Sequence, residues 1–268
     1  MSKTRISINC TADCKTVCRF SDLTETKLFC YNRARNLKEK NAMSQGFTIY
    51  PIAHIRTDFK EKFGIPRQSG RVETLGKIVF EPKYRSPEAL RGIESFSHLW
   101  LIFDFSLAHR DEFSPTVRPP RLGGNTRVGV FASRSPFRPN AMGLSSVRLV
   151  AVEHSEQDGD YLVVSGADLL DGTPIYDIKP YLPFTDSHPD AVGGYADEHL
   201  DHRLEVVFPE HLLNKLPKDK QKSAIGCLAE DPRPSYQEDD TRIYHMTFAE
   251  YEISFTVSGK KLTVTHLS

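Results

Sequence analysis

Forty consecutive residues, Phe113 to Val152, contain no Asp or Glu, although an even spread of 35 acids over 268 residues would put about five there. The same stretch carries Arg118, Arg121, Arg127, Arg134, Arg138 and Arg148 and no Lys. A guanidinium grips phosphate or carboxylate through two parallel hydrogen bonds and also stacks on bases, whereas lysine is a solvated point charge. A merely solvated basic face accepts either residue, so arginine alone favours a binding site for an anion. Pro115, Pro119, Pro120, Gly123, Gly124, Pro136, Pro139 and Gly143 stiffen the loops that carry these side chains.

Two other clusters hold polar groups of the right kind. Lys60–Gly70 reads as a loop in which Arg67 and Gln68 suit a polar small molecule, although such a loop also serves as a plain connector. In Ala167–Pro174, Asp171-Gly172 is a turn signal, and Asp168 at a strand end is placed to accept hydrogen bonds from ribose hydroxyls. The following Ile175–Phe184 mixes aromatics with Asp177 and Lys179. It fits a base-stacking pocket with a proton acceptor and a packed β-edge equally well.

The elements that must position these groups are mostly strands. Phe47–His54, Lys77–Glu81, His98–Phe105, Val128–Ala132, Ser146–Val152 and Tyr161–Ser165 are short β-branched or aromatic runs, mostly separated by Pro, Gly, Asn or Asp. One helical turn is expected at Ser86–Ile93, with Ser86 as cap and Pro87 in the first turn. Many short strands and few helices predict a mainly β fold, a barrel or sandwich, and not a doubly wound sheet. Gly193-Gly194 marks a boundary. After it come a strand (Arg203–Phe208), helices (Glu210–Leu216 and Lys218–Ala229) and strands at Ile243–Phe248, Tyr251–Val257 and Lys261–His266. The expected division is an extension over 1–45, a mainly β domain over 46–197 and a small α+β domain over 198–268.

Residues 1–42 carry nine Lys/Arg against four acids, with no Gly, no Pro and no apolar period. They read as a basic, poorly packed extension, with Met43 as an alternative start. Four of the five cysteines (Cys10, Cys14, Cys18, Cys30) lie there and only Cys227 lies beyond. That is no disulfide framework, and a cytoplasmic location is expected. Cys10, Cys14 and Cys18 approach the iron–sulfur motif of radical S-adenosylmethionine enzymes but have one residue too many in the second gap. No run of 18 apolar residues occurs. Net charge is +0, so only the charge distribution speaks for nucleic acid.

In order along the chain, Lys60–Gln68, Arg91–Trp100, Pro115–Asn125, Gly129–Asn140, Asp168–Pro183 and Asp231–Tyr236 resemble the TsaA-like family, called TrmO in bacteria. The resemblance runs from about Phe47 to the C-terminus. It implies a β-barrel that binds S-adenosylmethionine without a Rossmann fold, and a homodimer with the cofactor near the subunit interface. It also implies methylation of N6 of threonylcarbamoyladenosine at anticodon-loop position 37 of threonine tRNA. The chain has no Gly-x-Gly-x-x-Gly loop, in keeping with a non-Rossmann site. Carried over residue by residue, cofactor contacts fall on Pro66, Arg67, Gln68, Ser106, Leu107, Arg134, Leu144, Ser165, Gly166, Ala167 and Asp168. At Ser106-Leu107 the chain departs from the family's pattern, so contact there is expected through backbone.

Transfer of a methyl group needs alignment of donor and acceptor, exclusion of water and no metal. Because the acceptor is a weakly nucleophilic ureido N–H, a general base helps; Asp177 is the first candidate, followed by Tyr181 and His98. Arg118, Arg121, Arg127 and Arg138 are expected to hold the tRNA backbone or the threonyl carboxylate, and Arg233 and Tyr236 to line a tRNA-facing surface. Asp231–Tyr236 superficially resembles the Asp-Pro-Pro-Tyr motif of adenine-amino methyltransferases, but its spacing differs. Two alternatives remain open: a non-catalytic RNA-binding or cofactor-sensing module, and a methyltransferase with another acceptor.

Overall fold

In the computed structural model, which describes residues 48–119, 122, 126–199, 202–233 and 239–268, the strands grow out of simple alternation. Along His98–Asp104 every second residue (Leu99, Leu101, Phe103) is buried, while the residues between them face outward. The first part contains β1 (Ala53–Arg56), β2 (Leu75–Phe80), β3 (His98–Asp104), β4 (Thr116–Val117), β5 (Val128–Gly129), β6 (Met142–Ser155), β7 (Gly159–Ser165) and β8 (Thr173–Pro180). The last part contains β9 (Glu205–Val207), β10 (Tyr244–Phe248), β11 (Tyr251–Ser258) and β12 (Lys261–Leu267). Helices are short: α1 (Pro87–Leu90), α2 (Pro183–Asp186), α3 (Glu210–Leu213) and α4 (Lys218–Ala229).

Six strands pair in the order β1-β2-β7-β6-β3-β8, and β1 also pairs with β8, so the antiparallel ladder closes into a barrel. Its interior holds Ile55, Ile78, Leu99, Leu101, Leu162, Val164 and Ile175, each at 0% exposure. Each such side chain contributes roughly 1.5–3 kcal/mol on leaving water. Gly143 on β6 sits against the Phe103 ring, where a Cβ would come within 2.2 Å of it.

The second apolar cluster is built on the four-stranded sheet β10-β11-β12-β9, in which β9 runs parallel to β12 and the other pairs are antiparallel. The expected small α+β unit is thus rich in β, with α3 and α4 beside the sheet. Phe59 and Val72, from the first part of the chain, belong to this second cluster. Ile49–Ser268 accordingly form one compact unit.

Several expected elements differ in extent. Of the expected strand Phe47–His54, Phe47 lies outside the described residues, 48–52 are not strand, and β1 begins at Ala53. Of Val128–Ala132 only Val128–Gly129 is strand; Val130–Ala132 is a 3-10 turn closed by the Ser133 hydroxyl, which donates to the Val130 carbonyl at 2.8 Å. At Ser86–Ile93 a single turn forms over Pro87–Leu90, and the Ser86 side chain makes no capping hydrogen bond. The 1–45 extension with its four cysteines, Arg121 and Tyr236 lie outside the described residues.

Candidate functional site

The loop Lys60–Gly70 ends against the segment that leaves β7. Gly70 N–H donates to the Gly166 carbonyl at 2.8 Å, and Gly166 N–H donates to the Thr74 carbonyl at 2.9 Å. Gly166 can take this path because its φ is +86°, and its Cα lies where a Cβ would meet Gly70 backbone at 3.2 Å. The crossing brings Gln68 and Ser69 over Ser165–Asp168.

Side chains complete the cluster. Arg134 Nη1 donates to Gln68 Oε1 at 2.7 Å, and Ser145 Oγ donates to Asp168 Oδ1 at 2.6 Å. The Ser69 backbone N–H also donates to the Asp168 carboxylate. Burial pushes the Asp168 carboxyl above its ordinary value, and these donors together with the Arg134 charge pull it partly back. Ser145 is a buried polar residue at an inward position of β6, one residue from exposed Leu144. Lys62 Nζ donates to the Leu107 carbonyl at 3.0 Å, which ties the Ser106-Leu107 loop to the same edge. Pro66 is buried, Arg67 and Asp168 are partly buried, and Gln68, Ser106 and Arg134 are exposed.

Strand register locates the remaining candidates. Leu144 pairs with Ile102, and Ile102 pairs with Asp177, so these three form one lateral row across β6, β3 and β8. A bulge at Ile102/Phe103 leaves Tyr176 as the extra residue of β8. Its hydroxyl meets Asp104, and burial together with the Asp104 charge raises the phenol above its ordinary value. Asp104 also binds His109 Nε2, at 2.8 and 3.0 Å. Asp177 pairs with Lys179 Nζ at 2.8 Å and accepts the Ile178 N–H at 2.9 Å. His98 and Tyr181 stack edge to face at 6.2 Å beside Trp100, but at the opposite end of β3, where His98 pairs with Arg148. The three base candidates therefore do not converge.

Among the arginines, Arg118 and Arg127 flank the β4–β5 ribbon just beyond the Val117–Val128 pair, and Arg127 Nη1 donates to Thr116 Oγ1 at 2.7 Å. Arg138 Nη1 donates to the Ser133 carbonyl at 3.1 Å. Arg233 is not a surface cation: both arms of its guanidinium go to Asp231, at 2.9 and 3.1 Å, and its side chain is only 12% exposed. Its guanidinium is committed to this internal ion pair. Ser69, Ser145, Lys62, Asp104, Tyr176 and His109 were missed in the sequence. Ser145 lies one residue before the expected strand Ser146–Val152, and β6 in fact starts at Met142, so its inward position was not visible there.

With that geometry in place, the relatives are informative. Residues 54–187 match the family described as tRNA-methyltransferase O N-terminal domain, and residues 201–268 match the TrmO C-terminal domain. The chain belongs to the TrmO family. It is 41% identical over 221 residues to the tRNA (adenine(37)-N6)-methyltransferase of Escherichia coli, covering 79% of this chain and 94% of that protein. It is 42% identical over 198 residues to a putative S-adenosylmethionine-dependent methyltransferase of Pseudomonas aeruginosa, covering 71% of this chain and 83% of the other. The crystal structure of TrmO from Pseudomonas aeruginosa superposes with a TM-score of 0.66 at 32% identity, covering 84% of this chain and all of that one. The matched N-terminal stretch contains every residue of the Gln68–Arg134–Asp168 cluster.

Proposed function

We propose that this chain is an S-adenosylmethionine-dependent methyltransferase acting on N6 of adenine 37 in tRNA, with threonylcarbamoyladenosine in the anticodon loop of threonine tRNA as acceptor. The carrying observation is the convergence of Gln68, Arg134 and Ser165–Asp168 at one barrel edge, in a chain of which 79% aligns with a relative named tRNA (adenine(37)-N6)-methyltransferase. The residues fit the cofactor. Asp168, fixed by Ser145 and Ser69, is an acceptor for ribose hydroxyls, and Arg134 suits the carboxylate of the methionine part. Leu107 and Leu144, 62% and 53% exposed, offer apolar faces to an adenine ring. When bound, S-adenosylmethionine supplies a methyl carbon already activated by its sulfonium.

The protein then aligns the acceptor, keeps water out and takes up one proton. Asp177 is the proposed proton acceptor, since it shares the lateral row of Leu144, two strand spacings away, or about 10 Å. His98 and Tyr181, at the far end of β3, are assigned to stacking. Arg118, Arg127 and Arg138 are assigned to the tRNA backbone or the threonyl carboxylate. The proposed assembly is a homodimer that covers the exposed apolar residues around the cluster. The test is mass spectrometry of nucleosides from threonine tRNA in cells lacking the gene. Loss of methylated threonylcarbamoyladenosine with accumulation of its precursor is expected; an unchanged nucleoside would sink the acceptor assignment.

A further inference from the structure

The last turn of α4 grips the cofactor loop from behind. Asp231, just past the helix, has φ +53°, a left-handed conformation that costs a non-glycine residue roughly 1–2 kcal/mol. Glycine is the ordinary residue there. What Asp adds is a carboxylate, 8% exposed for the residue as a whole, which takes the two arms of Arg233 and also His202 Nε2 at 3.0 Å. With its side chain folded back, Arg233 presents its backbone carbonyl to Arg67 Nη2 at 3.0 Å. The preceding residue, Glu230, is 3% exposed and accepts from Arg71 Nε at 3.1 Å and Arg203 Nε at 3.0 Å. Val72 packs into the C-terminal core, and Ser223 Oγ donates to the Glu73 carbonyl at 2.9 Å.

The segment Arg67–Glu73 is therefore held on one side at successive points by the C-terminal part. From its other side Gln68 reaches Arg134, and the Ser69 and Gly70 amides reach Asp168 and Gly166. We propose that Glu230 and Asp231 are positioning residues for the cofactor: through Arg71 and Arg67 they fix the height of the Gln68–Gly70 loop over Asp168. Neither touches the cofactor. The inference deepens the reading of the Gln68–Arg134–Asp168 cluster as the cofactor site and rests on it.

Asp231→Asn keeps shape and tolerance of the left-handed region but removes the charge that folds Arg233 back, and Glu230→Gln does the same for Arg71. The first readout, on the full chain without cofactor, is hydrogen exchange of the Ser69 and Gly70 amides. Both variants should exchange there about tenfold faster, the scale of one coupling between neighbouring sites. The second is kinetic: KM for S-adenosylmethionine should rise by about the same factor while kcat at saturation stays within about twofold. With Arg67→Ala already in place, Asp231→Asn should change neither amide exchange nor KM further. Unchanged amide exchange would overturn the proposal, as would a lowered melting temperature with unaltered KM. If the unmutated chain binds no S-adenosylmethionine in a calorimetric titration, the cofactor assignment fails instead, and the amide exchange still decides whether Asp231 and Glu230 hold the loop.

Discussion

In the proposed site, Asp168 is the residue at which pH and cofactor binding meet. Its carboxyl sits above the ordinary 3.8 because burial disfavours the charge more than Ser145, Ser69 and Arg134 favour it. The ionised form accepts ribose hydroxyls more strongly and through both oxygens, so affinity for S-adenosylmethionine should fall on acidification through a midpoint above 3.8. The folding contribution has the opposite sign. The folded state holds this proton more tightly than the unfolded chain, so the group's stabilisation is full below 3.8 and is lost as pH rises through the folded value. Asp168→Asn should thus leave thermal stability at neutral pH equal or higher. It should weaken cofactor binding about tenfold or more, because hydrogen bonds to a charged group contribute roughly 1.5–3 kcal/mol. Calorimetric titrations across the acidic range check both parts, and unaltered affinity in the variant would remove Asp168 from the site. Its place at a strand end, together with the resemblance, singled out Asp168 in the sequence, but its partners Ser145 and Ser69 come from strand register and loop crossing, which no local pattern encodes.

Elements carry the same lesson about legibility. β3 is readable because burial alternates along its pleat, β7 and β11 because of their β-branched and aromatic content, and α4 spans the range Lys218–Ala229 expected for it. β8 is not readable as a strand: the bulge at Tyr176 puts an extra residue into the pattern, so Tyr176 and Asp177 both turn from the core. The crossing of Gly166 over Gly70 is invisible in sequence and testable in the protein. Gly166 and Gly172 both have positive φ, +86° and +78°, so alanine at either meets the same left-handed penalty of roughly 1–2 kcal/mol. Only at Gly166 would the new methyl press on backbone, the Gly70 N and Cα at 3.2 Å; around Gly172 there is open space. Both variants should lose thermal stability by several degrees, roughly in line with that penalty, but only Gly166→Ala should also weaken S-adenosylmethionine binding. Equal affinities would mean that the loop can shift without disturbing the site.

At the scale of the whole molecule, the shared core joins the two parts that the sequence suggested were separate. Removing 198–268 would strip the cover from Phe59 and Val72, which are 1% and 6% exposed, so the shortened chain should not fold stably. Circular dichroism melts would show this as a lost cooperative transition. The outer surface makes a different demand. Leu107, Phe131, Phe137, Met142 and Leu144 are exposed on β6 and on loops associated with the candidate site, and Phe131 reaches 76% exposure. Apolar residues left exposed beside a binding edge are where a partner would gain most by covering them. In the proposed homodimer a two-fold contact would bring two such edges together and dry both candidate sites. Light scattering should then report twice 30.4 kDa for the chain. Phe131→Asp, a change at a side chain that packs on nothing in the monomer's core, should return the mass to one copy and weaken S-adenosylmethionine binding together. A variant that is monomeric with undiminished affinity would separate the interface from the site. A chain already monomeric before mutation would assign the patch to RNA, and Phe131→Asp should then raise KM for tRNA while leaving cofactor affinity alone.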